Sequence, residues 1–149
     1  MPIKLSSPIY KTFELVRSDA KYGNEGEPTI VTVRQASQAQ HRLRQDFFAT
    51  LERRFSNSEP DEVSLIQTLS MEELKELEVW LCLCECNIAD ENERLLFPSR
   101  MENDHPRLAM KREEFHSSWG KLFPDIANEI HEKVLEVNPL WRGSEGEEF

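Results

Sequence analysis

The sequence predicts a mainly α protein, a small helical bundle of about four to five helices with an N-terminal β-hairpin. Three observations carry that expectation. Ser37 with Gln40, and Ser70 with Glu73, stand at the spacing of a helix-opening capping box. Behind each box, apolar residues recur every three to four positions. Strand-like composition is confined to residues 12–35.

Residues 1–11 are expected to be a flexible N-terminus. TFELVR (12–17) and TIVTVRQ (29–35) are β-rich, and Phe13 and Leu15 alternate with polar neighbours. Between them SDAKYGNEGEP (18–28) holds the turn-formers Gly23, Asn24, Gly26 and Pro28, which predict a long, mobile hairpin loop. An isolated two-stranded hairpin is marginal in water, so it must lie on the helices or join another chain's sheet.

Ser37 opens a helix with Leu43, Phe47, Phe48, Leu51 and Phe55 on one side, while His41, Arg42, Arg44, Arg53 and Arg54 cover much of the rest. These arginines are expected to pair with Glu or Asp inside the fold or on a neighbouring subunit. SNSEP (56–60) ends that helix, and DEVSLIQTL (61–69) predicts a short one. Ser70 opens the strongest helix, over 71–89. The polar stretch ADENERLLFPSRMEND (89–104) reads as a fraying end and a loop. Pro106 at a first helical position predicts a further helix, with Leu108, Phe115, Trp119 and Leu122 on one face. Pro124 opens the last, where Ile126, Ile130, Val134 and Val137 are spaced 4, 4 and 3, and Asn138-Pro139 ends it. The expected helical domain spans 36–141, and residues 142–149 are an expected disordered acidic tail.

A chain of 149 residues can bury a core without disulfides or a structural metal. MPIKLSSPIY lacks the apolar run of a signal peptide, and no stretch approaches a membrane span, so a soluble protein of the cytoplasm with no membrane partner is expected. The net charge of −10 divides unevenly, +3 over residues 1–58 and −13 over 59–149. An acidic chain repels nucleic acid, and no nucleic-acid partner is expected.

WLCLCECN (80–87) contains all three cysteines, at alternate positions. An odd, clustered set argues for a reducing compartment. On a helix, Leu74, Leu77, Leu81, Cys84 and Ile88 form a seam that places Cys84 in the core. At helical pitch Cys82 and Cys86 lie about 40° apart and Cys84 about 160° from both, so the three cannot converge on one tetrahedral ion. Val79, Cys82, Leu83 and Cys86 form a second stripe at i, i+3, i+4 and i+7. A helix apolar on two faces is either central in its bundle or offers one face to a partner, and these four are the candidate partner-binding residues.

Catalytic and metal signatures are incomplete. HEKVL (131–135) has Leu135 where a zinc protease needs its second histidine. Glu102/His105 and Glu113/His116 have the spacing of a di-iron carboxylate bundle, but Pro106 puts the first pair in a loop. No phosphate-binding glycine loop or nucleophile elbow occurs. The expectation is a non-enzymatic protein without catalytic residues, metal or cofactor.

VTVRQAS (31–37) resembles the N-terminal signature of small proteins encoded in tailed-bacteriophage structural modules, and FHSSWGKLFPDIANEIHEKVLEVNPLW (115–141) resembles tail assembly chaperones; together they cover about a quarter of the chain. The C-terminal resemblance lies in Phe115, Trp119, the Leu-Phe-Pro before the last helix, and Asn138-Pro139 with Trp141. It implies a mostly helical protein of the host cytoplasm that binds the phage tape measure protein and helps recruit the tail-tube protein, with a homo-oligomer possible. The N-terminal hairpin departs from that pattern and fits a structural virion component, a head–tail connector or neck protein, as the alternative.

Overall fold

The computed structural model describes residues 2–3, 9–23, 26–56, 59 and 63–142, with the side chains of Phe55 and of residues 63–69 outside the description. Most of the expected N-terminal segment and acidic tail therefore lie outside the described residues.

Among the described residues the fold is mixed α/β, with six helices and two antiparallel sheets. This corrects the expected helical bundle. The elements run β1 (Tyr10–Glu14), α1 (Val16–Tyr22), β2 (Ile30–Arg34), α2 (Gln38–Ser56), α3 (Val63–Cys82), β3 (Leu83–Cys86), β4 (Ser99–Glu102), β5 (His105–Leu108), α4 (Arg112–Trp119) and α5 (Pro124–Val137). A last helical turn over 139–142 follows.

The first sheet has the order β1-β2-β3. β1 and β2 are the expected hairpin strands, paired antiparallel from Tyr10↔Arg34 to Glu14↔Ile30. Their connection is not a plain loop, because it contains α1. Asp19 holds that connection together, accepting hydrogen bonds from the Thr29 backbone at 2.8 Å and the Thr29 hydroxyl at 2.6 Å. Gly23 N–H donates to the Asp19 carbonyl at 2.9 Å, and a Cβ at Gly23 would lie 2.6 Å from that oxygen. Only glycine permits so close an approach.

The third strand overturns the expected helix over 71–89. β2 is central and its Val31, Thr32 and Val33 are buried, so its far edge would leave orphaned backbone groups without a neighbour. β3 supplies the partners, with a register shift between Thr32 and Val33 opposite Cys84. WLCLCEC is a short apolar run whose periodicity fits helix or strand, and cysteine is a poor helix former. The helix stops where Arg34 Nη2 and Gln40 Nε2 donate to the Leu81 carbonyl, at 3.2 and 3.1 Å.

Ser70 does not cap a helix. It is buried inside α3, because Val63–Leu69 contain no glycine or proline and the helix runs through. The Ser37 box is present in both directions: Ser37 N–H donates to Gln40 Oε1 at 2.7 Å, and Gln40 N–H to Ser37 Oγ at 3.3 Å.

The expected loop ends in a β4–β5 hairpin that takes in Pro106, and the helix expected to start there begins later, as α4 at Arg112, with Phe115 and Trp119 buried on it. Asn103 and Asp104 both take positive φ, 51° and 66°, as a two-residue hairpin turn requires. Ala109 N–H donates to the Pro98 carbonyl, so hydrogen-bonded pairs fall at Arg100/Arg107 and Glu102/His105. Pro106 opposes Met101 at a position that needs no donor toward β4, and its missing N–H costs the ladder nothing.

α5 begins at Pro124 as expected, and Ile130 and Val134 are fully buried. The core joins Leu15 and one face of the sheet (Val31, Val33, Leu83, Cys86) to α3, α4 and α5. Phe97, from the β3–β4 connection, meets Phe115 at 5.3 Å with the rings tilted by 47°, and Phe115 stacks at 5.8 Å on Trp119. No helix among the described residues is long and apolar enough to cross a membrane.

Candidate functional site

α3 carries two glutamates two residues apart, Glu76 and Glu78, which the helical pitch turns to nearly opposite sides. Each meets one arginine and one histidine. The consequences differ because one side is interior and the other opens on solvent.

Glu78 is fully buried. Arg44 Nε on α2 donates to its Oε2 at 2.6 Å, and His131 Nε2 on α5 lies 2.7 Å from its Oε1. The Arg44 guanidinium lies between two rings, 5.0 Å from the Phe48 centroid and 5.2 Å from that of Trp141. Trp141 Nε1–H donates in turn to His41 Nδ1 at 3.1 Å. This cluster ties α2, α3, α5 and the last helical turn together.

Glu76 faces a groove of about 500 Å³ between α2, α3 and α4. Arg112 and His116, both on α4, bind its carboxylate, His116 through Nδ1 at 2.8 Å. Phe47 and Leu77 are its apolar lining, and its charged lining is mixed: Glu73, paired with Arg54 at 3.2 Å, and Glu113 stand beside Arg112 and His116. Leu43, one turn before Phe47 on α2, is 48% exposed. The apolar row of α2 is therefore only half covered, since Phe47, Phe48 and Leu51 are all half-buried.

Val79, Cys82, Leu83 and Cys86 do come together, but inside this chain's own core, each no more than 3% exposed. Cys82 ends α3, while Cys84 and Cys86 lie on β3, so the helical angles do not apply to them. All three are free thiols. Burial pushes the Cys82 and Cys86 thiols up to about 12, and that of Cys84 to about 11. Such thiols are inert at neutral pH.

Glu102 and His105 oppose each other across the β4–β5 turn, while Glu113 and His116 lie on α4. His131 is committed to Glu78. Among the described residues no group of three or more His, Cys, Asp or Glu is placed to hold a metal ion.

The Arg44–Glu78 pair is of the kind expected for the α2 arginines, while its histidine and the Glu76 cluster were missed, and the interior cluster left a further signal. Arg44 precedes Phe48 and Leu51 by four and seven, Glu78 lies between Leu74 and Leu81, and His131 between Ala127 and Val134. Each polar residue therefore sits on an apolar helical stripe, where only burial with a partner is tolerable. No family model, no curated protein and no solved structure matches the chain.

Proposed function

We propose that this protein acts without catalysis, as a tail assembly chaperone of a tailed bacteriophage. In the host cytoplasm it binds the tape measure protein and helps recruit tail-tube subunits. The observation that supports this reading is the groove between α2, α3 and α4. Its apolar lining of Phe47 and Leu77 suits the apolar face of a helix, and Glu113 suits a basic residue flanking that face. A chain with net charge −10 stays soluble while holding an aggregation-prone helical partner.

Co-expression with the tape measure protein from the same gene cluster tests the reading. The tape measure protein should move to the soluble fraction, and a Phe47→Glu/Leu77→Glu double variant should lose that effect while staying folded. No gain in solubility at any expression ratio overturns it.

A second reading, a head–tail connector or neck protein, rests on β1. Gln35 N–H bonds the Ile9 carbonyl and Leu15 N–H the Thr29 carbonyl, so the odd residues face β2. Tyr10, Thr12 and Glu14 turn their backbone groups outward, where no strand among the described residues pairs with them. Stoichiometric presence in purified virions favours this reading over the first.

A further inference from the structure

A second cavity, of about 300 Å³, lies under the β4–β5 hairpin, against the end of α3 and the β2–β3 strands. We infer that it binds a small organic monocarboxylate with a flat apolar body, its carboxylate held between Arg34 and Arg107.

Arg34 supplies the first reason. Its Nη2 is engaged by the Leu81 carbonyl at 3.2 Å, but its Nε is buried with no hydrogen-bond partner. A buried guanidinium donor left unmade is costly, and an acceptor entering the cavity would satisfy it. Arg107 supplies the second. It stands directly opposite Arg100 across the hairpin, so two like charges are adjacent, and among the described residues no carboxylate pairs with it. The nearby Glu102 leans instead on Arg100, at 3.7 Å.

Arg34 and Arg107 both line this cavity. Both act through space on the Cys84 thiol at the cavity wall, drawing its proton affinity down against the larger effect of burial. Two cations without an ion-pair partner among the described residues, at one small cavity, form an anion subsite for charge-assisted bonds.

The rest of the lining selects the anion. Trp80, Leu83, Leu108 and Met110 form apolar walls that a bare inorganic ion would leave unused. Glu102 on the rim repels a second negative charge, which favours a monoanion over a phosphate dianion. An aryl carboxylate satisfies both conditions, with its ring against Trp80 and its carboxylate on the arginines. This inference does not depend on the chaperone reading, since the cavity and the groove are lined by different residues.

Benzoate is the probe, titrated into the full chain and followed by the Trp80 indole and Cys84 amide resonances and by calorimetry. Benzyl alcohol and inorganic phosphate at matched ionic strength are the comparisons. Benzoate should give a saturable shift, with each comparison compound at least about tenfold weaker, as loss of a charge-assisted bond or of the apolar contact implies. Arg107→Gln should weaken benzoate by about tenfold with an unchanged melting temperature, because Arg107 is exposed. Arg34→Gln should remove binding, and if that variant fails to fold, Arg107→Gln carries the test. Absence of a saturable shift, equal binding of phosphate, or unchanged benzoate affinity in Arg107→Gln overturns the inference.

Discussion

Glu78 divides its carboxylate between two helices, accepting from Arg44 Nε on Oε2 at 2.6 Å and meeting His131 Nε2 at 2.7 Å on Oε1. An ionised carboxylate only accepts, so Nε2 of His131 carries a proton in this arrangement. The residues come from α2, α3 and α5, which makes one buried carboxylate the junction of three helices. Arg44 is 3% exposed and Glu78 0%, so neither charge is relieved by water.

Removing one partner should be worse than removing both. Arg44→Met leaves Glu78 buried beside a histidine alone and should cost about 3–5 kcal/mol in urea unfolding. The double variant Arg44→Met/Glu78→Leu should recover a large part of that loss, because no uncompensated charge remains. Strictly additive penalties in the double-variant cycle would show that the pair is not coupled.

Glu129 sets an acid limit on stability. Burial pushes its carboxyl up, but the Ser18 hydroxyl at 2.7 Å, the Ser18 and Arg17 backbone donors and the Arg17 charge together hold it below its ordinary value. A folded-state value below the unfolded one stabilises the protein above the unfolded value, about 4.3, and that contribution is lost as pH falls through the folded value. Glu129→Gln should therefore be less stable than the native chain at pH 7, with the gap closing below about pH 4. Thermal unfolding across pH 2–7 reads this directly, and a gap constant with pH would contradict it.

Local signals placed some elements and not others. The Ser37–Gln40 box and Pro124 act within one helical turn, and the structure has both helices where those residues put them. Ser70 failed because a capping box matters only if the preceding segment is not already helical. The strand β3 was illegible for another reason. Leu83–Cys86 becomes a strand because the second edge of β2, about fifty residues earlier, needs a partner, and that demand leaves no local trace. The hairpin at 99–108 was legible in principle, since Asn103-Asp104 tolerates positive φ, but Pro106 read as a helix start outweighed it. Of the groove, Phe47 was visible as an apolar position, while the pairing of Glu76 with His116 is tertiary and forty residues apart.

The three thiols should be silent in the native protein. With values of about 11 and 12, the thiolate fraction at pH 8 is very small, and burial blocks access as well. A disulfide reagent such as 5,5'-dithiobis(2-nitrobenzoate) should titrate all three cysteines in urea and none within minutes in buffer. Fast reaction of even one thiol in the native state would mean that β3 or the end of α3 opens readily.

Paired substitutions at Leu81 and Cys82 test whether the second stripe is interior. Adjacent on α3, the two residues point to different sides, yet Leu81 is 4% exposed and Cys82 0%. Cys82 lies under Asn138, whose Nδ2 approaches its sulfur at 3.5 Å, and Asn138 also accepts from the Ala36 backbone at 2.8 Å. An aspartate at either position would place an unpaired charge in the core, at a cost of several kcal/mol that approaches the whole stability of a small domain. Leu81→Asp and Cys82→Asp should both lose cooperative thermal unfolding and near-ultraviolet circular dichroism. A folded Cys82→Asp beside an unfolded Leu81→Asp would mean that Val79, Cys82, Leu83 and Cys86 form an accessible partner face after all. With both unfolded, the half-covered apolar row on α2 is left as the surface where a helical partner can dock.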